Sequence, residues 1–299
     1  MSRVPISAVI PNRDGADLLR RTLPPLLREL PTPENEVVVI DDASTDGSVE
    51  MLREEFPAVR AIALSENVGF GAACNLGMSE ARHSLVLLLN SDMEVTPGSV
   101  AMLRQHLDDP QVFAAGPEYR NPDPSWRAPE HEQARPSYML GAPAGGGLFR
   151  REVFLELGGF DPLYAPFYWE DFDLGWVAWR HGWKVVFEPR CHFWHLESAT
   201  IRKLFPAGYI ERIRTRNRCL FGWKNLLDPW ILARFQARSL LRGISGVLRR
   251  HSCASLLGVL DSLPRVPAAL RRRHLPPDGR GDWAILRETN TSLELLQQL

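Results

Sequence analysis

Apolar and polar positions change their period along this chain. Short runs dominated by β-branched and aliphatic residues, at 6–10, 36–40, 59–64, 84–89 and 112–115, alternate with stretches in which apolar residues return every three to four positions. The first kind predicts strands; the second predicts helices, near 16–29, 48–55, 71–81 and 97–107. The run Ser84-Leu85-Val86-Leu87-Leu88-Leu89 has no polar alternation, which predicts a strand covered on both faces, as in a parallel sheet. Strands spaced roughly 20 to 30 residues apart leave room for right-handed helical crossovers, so the first half reads as an α/β domain with a mixed, mostly parallel sheet.

The pattern then changes twice. Residues 117–145 are rich in Pro and charge and have no clear period, which predicts a long surface loop of the kind that often acts as a lid. Gly145-Gly146-Gly147 reads as a flexible turn ahead of a helix at 151–157. A further helix opens at Trp169-Glu170-Asp171, carries Phe172, Trp176 and Trp179 on one face, and meets a stop at Gly182. Two short strands, 184–187 and 191–195, follow. Beyond about 200 the chain becomes helical and basic: Arg234, Arg238 and Arg242 repeat every four residues beside Ile231, Phe235, Leu241, Ile244 and Leu248. The expected division is a domain over 1–200 and a basic amphipathic helical extension over 201–299.

Composition adds a charge split that the net value of -1 conceals. Residues 1–199 hold 17 Lys and Arg against 29 Asp and Glu, whereas 200–299 hold 18 against 7, so two surfaces of opposite sign are expected. A 44% hydrophobic fraction and nine Trp exclude a disordered chain, and no run approaches the length of a transmembrane helix. The opening residues lack the pattern of a signal peptide, which predicts a cytoplasmic location. Cys74, Cys191, Cys219 and Cys253 lie far apart, as reduced thiols do, although Cys191 and His195 leave a weak zinc reading open.

Candidate chemistry gathers where predicted strands end. Asp41-Asp42 closes one strand and Asn90-Ser91-Asp92 another, and ligands of α/β enzymes bind at such carboxyl ends. In the segment 41–48 the plainer reading is a helix cap by Ser44 or Asp46, which leaves Asp41 and Asp42 for ligand contact. Asn67-Val68-Gly69-Phe70-Gly71 is a small-residue loop entering a helix, able to approach an anion, but it is not a G-x-G-x-x-G fingerprint. In Cys191-His192-Phe193-Trp194-His195, strand period two places only one histidine on the site face. Glu170 and Asp171 read either as acids favoured by a helix dipole or as a general base and its neighbour.

Taken in order, Val9-Ile10-Pro11-Asn12, Val39-Ile40-Asp41-Asp42-Ala43-Ser44-Thr45-Asp46-Gly47-Ser48, Glu66-Asn67-Val68-Gly69-Phe70-Gly71, Asn90-Ser91-Asp92, Gly158-Gly159-Phe160-Asp161 and Trp169-Glu170-Asp171 resemble the inverting family 2 glycosyltransferases of GT-A fold, and most of all their bacterial rhamnosyltransferase-like branch. The resemblance covers about residues 4–200. It implies a nucleotide-diphospho-sugar donor held by Pro11, Asn12, Asp41, Asn67, Gly69, Asn90 and Ser91, with Asp41 on the base. It implies a divalent ion, Mg²⁺ or Mn²⁺, on Asp92 and His195, and Asp171 as the base. Gly146, Gly147, Trp169 and Glu170 are implied to face the acceptor, a saccharide or lipid-linked saccharide. The segment Arg13-Asp14-Gly15 departs from the family pattern.

The basic tail admits a solvated cap, a surface for anionic lipid over 201–275, or a nucleic-acid surface, with no nucleic acid expected. The lipid reading places the protein at the inner face of the cell membrane. Two other functions stay open: a sugar-nucleotide nucleotidyltransferase, and a non-catalytic nucleotide-binding scaffold.

Overall fold

The computed structural model describes residues 4–31, 33–122, 135–196, 205–250 and 252–298. Packing divides the chain into two units, Met1–Phe160 with Lys184–Ser198, and Asp161–Trp183 with Ala199–Leu299. The second unit therefore takes a segment from the middle of the sequence as well as its C-terminal part.

The first unit is built on one sheet of nine strands: β1 (Ile6–Asn12), β2 (Glu36–Asp41), β3 (Arg60–Ala63), β4 (Leu85–Leu89), β5 (Met93–Val95), β6 (Val112–Arg120), β7 (Ser137–Tyr138), β8 (Gly146–Arg150) and β9 (Lys184–His195). Their order is β3-β2-β1-β4-β8-β6-β9-β5, with β7 paired to β9. The strands β3, β2, β1 and β4 are parallel neighbours, whereas β8 runs antiparallel to both β4 and β6. Helices α1 (Ala16–Glu29), α2 (Ser48–Glu55), α3 (Phe70–Glu80), α4 (Ser99–His106) and α5 (Arg151–Glu156) complete the unit.

Strand alternation decides which helix covers which face. Ile6, Ala8 and Ile10 of β1 join Val37, Val39, Leu87 and Leu89 in one core with Leu19, Leu23 and Leu26 of α1 and Leu103 of α4. Val38 and Ile40 point the other way, against Ala73 and Leu76 of α3. The approach of α3 is close: a Cβ added at Gly77 would lie 2.2 Å from Val9 Cγ1, so only glycine fits there.

The expected strands and helices of the first half are present, β5 and β7 are additional short strands, and three readings differ from expectation. Gly146 and Gly147 lie in β8, whose pairing with β4 turns the expected flexible segment into a central strand. The strand expected to end at 115 continues as β6 to Arg120, and the two short strands expected at 184–187 and 191–195 are the single strand β9. Pro117 and Pro189 punctuate the sequence like strand ends. A register shift at Pro117/Glu118 carries both strands past them, since a bulge tolerates a residue without an N–H. Of the predicted loop at 117–145, residues 123–134 lie outside the described residues.

The second unit is helical: α6 (Glu170–Arg180), α7 (Ala207–Asn225), α8 (Pro229–Arg250), α9 (Ala254–Ser262), α10 (Val266–Arg271), α11 (Asp282–Glu288) and α12 (Leu293–Gln298). Gly182, at φ +88°, ends α6 as its spacing predicts. Trp176 packs edge-on against Phe221, which also meets Phe235. Beside them lies a buried ion cluster. Lys224 Nζ donates to Asp161 Oδ2 at 2.7 Å and to Asp173 Oδ2 at 2.6 Å, while Tyr164 and Asn225 donate to Asp173 Oδ1. Burial opposes the charge on Lys224, but the two carboxylates outweigh it and raise its pKa above the usual lysine value.

Candidate functional site

In the sheet unit, the parallel register sets Asn12 level with Asp41 at the carboxyl ends of β1 and β2. Asn12 Nδ2 donates to Asp41 Oδ2 at 2.9 Å, and the Ser44 amide donates to Asp41 Oδ1 at 3.0 Å. Asp41 is buried, and Asn12 Oδ1 is a buried acceptor with no partner among the described residues. An orphan acceptor in that position costs free energy unless a ligand donor meets it. Pro11 is buried beneath this rim.

Asp42 has a role that sequence reasoning did not separate from that of Asp41. Its carboxylate accepts from the Val68 amide at 2.7 Å and the Gly69 amide at 3.0 Å, fixing the small-residue loop to the end of β2. Asn67 is exposed on that loop and Gly69 holds φ +84° with open space where a Cβ would stand, so a ligand has access to this backbone. Asp46 takes the plainer reading: its carboxylate accepts from the Ser48 amide at the start of α2 and from the Ala16 amide at the start of α1. Arg13, whose family position departs, donates to the Asp42 carbonyl.

The end of β4 delivers Asn90, Ser91 and Asp92. Antiparallel pairing of β5 with β9 sets Met93 opposite His195, and the Leu196 amide donates to the Asp92 carbonyl at 2.8 Å. That ladder brings His195 Nε2 to 3.1 Å from Asp92 Oδ2. His192 faces elsewhere, its ring edge-on to Trp194 and its carbonyl accepting from Thr96 Oγ1. Tyr119, which no sequence signal marked, braces the same corner. Its hydroxyl donates to the Gly146 carbonyl at 3.1 Å and accepts from the Gly146 amide at 3.0 Å, with its ring 6.5 Å from that of His195.

The protein's own packing requires glycine at 146 and 147. A Cβ at Gly147 would lie 2.3 Å from Pro143 Cγ, and one at Gly146 would lie 2.9 Å from Phe193 Cδ2. Both residues are buried.

In the helical unit, Trp169 precedes α6 at φ +80° and is 4% exposed. Its ring packs 5.1 Å from Phe221 and 5.3 Å from Phe172, so the face expected to meet an acceptor sugar is committed to the aromatic core. Asn217 donates to the carbonyls of Tyr164, Phe167 and Tyr168, holding the turn that leads into Trp169. Glu170 and Asp171 follow at the helix start, both half-buried as residues. Burial raises the Glu170 pKa to about 8, with the charge of Asp171 adding to it, and Glu170 Oε2 has no partner among the described residues. Burial likewise raises Asp171 to about 6, against the amide of Phe172, which donates to its Oδ1 at 2.8 Å.

A corner of strand ends with an orphan amide oxygen, a carboxylate facing an imidazole and an anion-accessible loop can be compared with known proteins. The family model for glycosyl transferase family 2 matches residues 7–158. The chain belongs to glycosyl transferase family 2. It is 29% identical over 225 residues to the O-antigen biosynthesis protein RfbC of Myxococcus xanthus, covering 66% of this chain and 18% of that protein. It is 28% identical over 202 residues to the N-acetylglucosaminyl-diphospho-decaprenol L-rhamnosyltransferase of Mycobacterium tuberculosis (strain CDC 1551 / Oshkosh), covering 53% of this chain and 66% of that protein. The chain thus spans less than two thirds of the length of both relatives, and a small part of the first. Among solved structures it is similar to GalNAc-T7 with UDP, GalNAc and Mn²⁺, with a TM-score of 0.64 and 17% identity over 99% of this chain and 56% of that one. The fold is that of the GT-A glycosyltransferases.

Within this family 2 frame, Asp92 and His195 are the carboxylate and imidazole that could hold a divalent ion. Such a mixed donor pair suits Mn²⁺ or Mg²⁺ when a diphosphate and water complete the shell. No group of three His, Cys, Asp or Glu side chains able to hold a metal occurs among the described residues. Cys191, by contrast, is a core thiol: burial pushes its pKa up to about 12, with Glu188 adding to the effect.

Proposed function

We propose that this protein is a metal-dependent, inverting glycosyltransferase that moves a sugar from a nucleotide-diphospho-sugar to a saccharide or lipid-linked saccharide acceptor in cell-surface polysaccharide synthesis. The observation that carries the reading is the approach of His195 Nε2 to Asp92 Oδ2 at 3.1 Å, at the carboxyl edge of a family 2 sheet. The names of the two relatives support the polysaccharide context, and the UDP and Mn²⁺ bound by GalNAc-T7 support a nucleotide donor and a divalent ion.

In this reading Asn12, with its unpaired oxygen, and Asp41 hold the nucleoside, while the loop at Asn67 and Gly69 lines its pocket. Asp92 and His195 hold Mg²⁺ or Mn²⁺, which when bound supplies positive charge against the departing diphosphate. Asp171 takes the proton of the acceptor hydroxyl as that oxygen forms its bond to the anomeric carbon. The bond from that carbon to the diphosphate oxygen breaks on the opposite side, and the electron pair leaves with the nucleoside diphosphate. A carboxyl raised to about 6 is still ionised at neutral pH and is a stronger base than an ordinary aspartate. Glu170, raised further, stays protonated and keeps a second negative charge away from the base. The reaction is assigned to the inner face of the cell membrane. No helix of the described residues is long and apolar enough to cross a membrane.

A panel of nucleotide sugars, followed by release of nucleoside diphosphate with and without Mg²⁺ or Mn²⁺, tests the proposal. Metal-dependent release with one donor, lost in Asp171→Asn, is expected. Release of pyrophosphate from a nucleoside triphosphate would instead identify a nucleotidyltransferase, and donor binding without turnover a scaffold.

A further inference from the structure

The helix α8 has two apolar faces, and among the described residues one of them is covered. Ile231, Phe235 and Ser239, four residues apart, are buried in the helical unit. On the far side stand Trp230 at 60% exposure, Leu241 at 63%, Ile244 at 40% and Leu248 at 72%. At about 100° per residue these four fall within roughly 60° of one another around the axis, so they form a single stripe rather than scattered apolar positions. Large apolar side chains aligned in water are uncommon on a protein that works alone.

The charges beside the stripe limit what can cover it. Arg234 and Arg238 are exposed along one edge of it, with the Arg234 guanidinium 5.4 Å from the centre of the Trp230 ring. Residues 229–250 contain five arginines and no Asp or Glu. Positions 230, 234, 237, 241, 244 and 248 have the alternating three and four spacing of a coiled-coil seam. A second copy of α8 would nevertheless set Arg234 within the seam and arginine against arginine along its flank, with no acid to balance them. Nucleic acid would meet the arginines and leave Leu241 and Leu248 in water. An anionic lipid surface satisfies both halves of the pattern, since the headgroup phosphates meet the guanidinium groups while Trp and Leu enter the boundary with the acyl chains.

We propose that α8 is a membrane-docking helix, lying flat on an anionic leaflet with Trp230, Leu241, Ile244 and Leu248 inward and Arg234 and Arg238 on the phosphates. The assignment stands apart from the transfer reading, because it needs neither donor nor acceptor.

Co-sedimentation of the full chain with vesicles of phosphatidylcholine alone, or with about one third phosphatidylglycerol, tests it. Binding is expected to the anionic vesicles and to weaken with salt. The double substitution Leu241→Ser with Leu248→Ser is expected to reduce partitioning by about tenfold or more, and Arg234→Gln by about fivefold. All three side chains are exposed, so unchanged thermal melting would show that the fold is intact. Nucleoside diphosphate release on a water-soluble acceptor is expected to be unchanged in the leucine variant, which separates loss of docking from loss of catalysis. Equal binding to both vesicle types, unchanged binding of the leucine variant, or a dimer in light scattering that this variant dissolves would overturn the proposal.

Discussion

His195 reaches Asp92 because β5 is paired with β9, which sets Met93 opposite His195 and brings Nε2 to 3.1 Å from Asp92 Oδ2. Neither side chain could find the other from sequence spacing. The pairing of a three-residue strand with the last three residues of a long one puts a carboxylate and an imidazole on one spot.

The first prediction follows from that meeting. Asp92→Ala and His195→Ala should each weaken metal-dependent donor binding by about tenfold to a hundredfold, since each removes one of the two protein ligands proposed for the ion. Calorimetric titration of the donor in Mn²⁺ and then in chelator measures it. Equal affinity in wild type and both variants, with the metal present, would remove the pair from the donor site.

For Asp171, replacement by Asn should lower kcat by about 10²- to 10⁴-fold and leave donor affinity unchanged, as removal of a general base does. The wild-type rate should rise with pH through an acid limb near 6, well above an ordinary aspartate, because burial holds the proton on this carboxyl. Glu170→Gln copies the protonated Glu170 and should leave that limb in place. A limb near 4 in wild type would show that another group is the base.

Glu170 also ties stability to pH. Its carboxyl is raised in the folded protein to about 8 by burial, with Asp171 adding to the shift, so the unfolded chain releases this proton at lower pH than the native state does. Native stability associated with the group is complete below its unfolded value and is lost as pH rises towards 8. Glu170→Gln cannot ionise, so its melting temperature should exceed that of wild type by a margin that opens between about pH 5 and pH 8 and is small below that window. Thermal melts at four pH values suffice, and a constant margin would place Glu170 in water.

Lys224 offers a test of the helical unit by itself. Its ammonium lies between Asp161 and Asp173, all three largely buried, and Lys224→Met would strand the Asp173 carboxylate without its cation while Asp161 keeps Arg272. Destabilisation of about 3–5 kcal/mol is expected by denaturant unfolding, since breaking a buried pair costs more than the pair itself contributes. A loss below about 1 kcal/mol, the size of a surface pair, would show the cluster to be solvated.

Strand and helix positions in the first half were legible because each apolar run has one period, and the places of Asp41 and Asp92 at strand ends were legible because they follow such runs. The extension of β6 was not, since Gly116-Pro117 has the local chemistry of a strand end and only the register shift against β9 carries the ladder past it. Gly146 and Gly147 were misread for a related reason: a glycine run looks like a hinge until Pro143 and Phe193 are seen to occupy the space of the missing side chains. The service of Asp42 to the Val68 and Gly69 amides lay hidden behind an identical neighbour. Trp169 could be placed before a helix from sequence, but the side of its ring depends on Phe221, many residues away.

The excursion of Asp161–Trp183 out of the sheet unit and into company with α7 to α11 has a consequence for how this protein can be divided and inherited. Arg180 is paired with Asp282 at 2.5 Å, and Asp161 with Lys224 at 2.7 Å, so the segment that bears Asp171 is fastened to the C-terminal sequence near both of its ends. A tail joined in this way is no exchangeable cassette. Recombination that swapped it for another, or a stop codon near 200, would take the supports of the acidic pair along with α8.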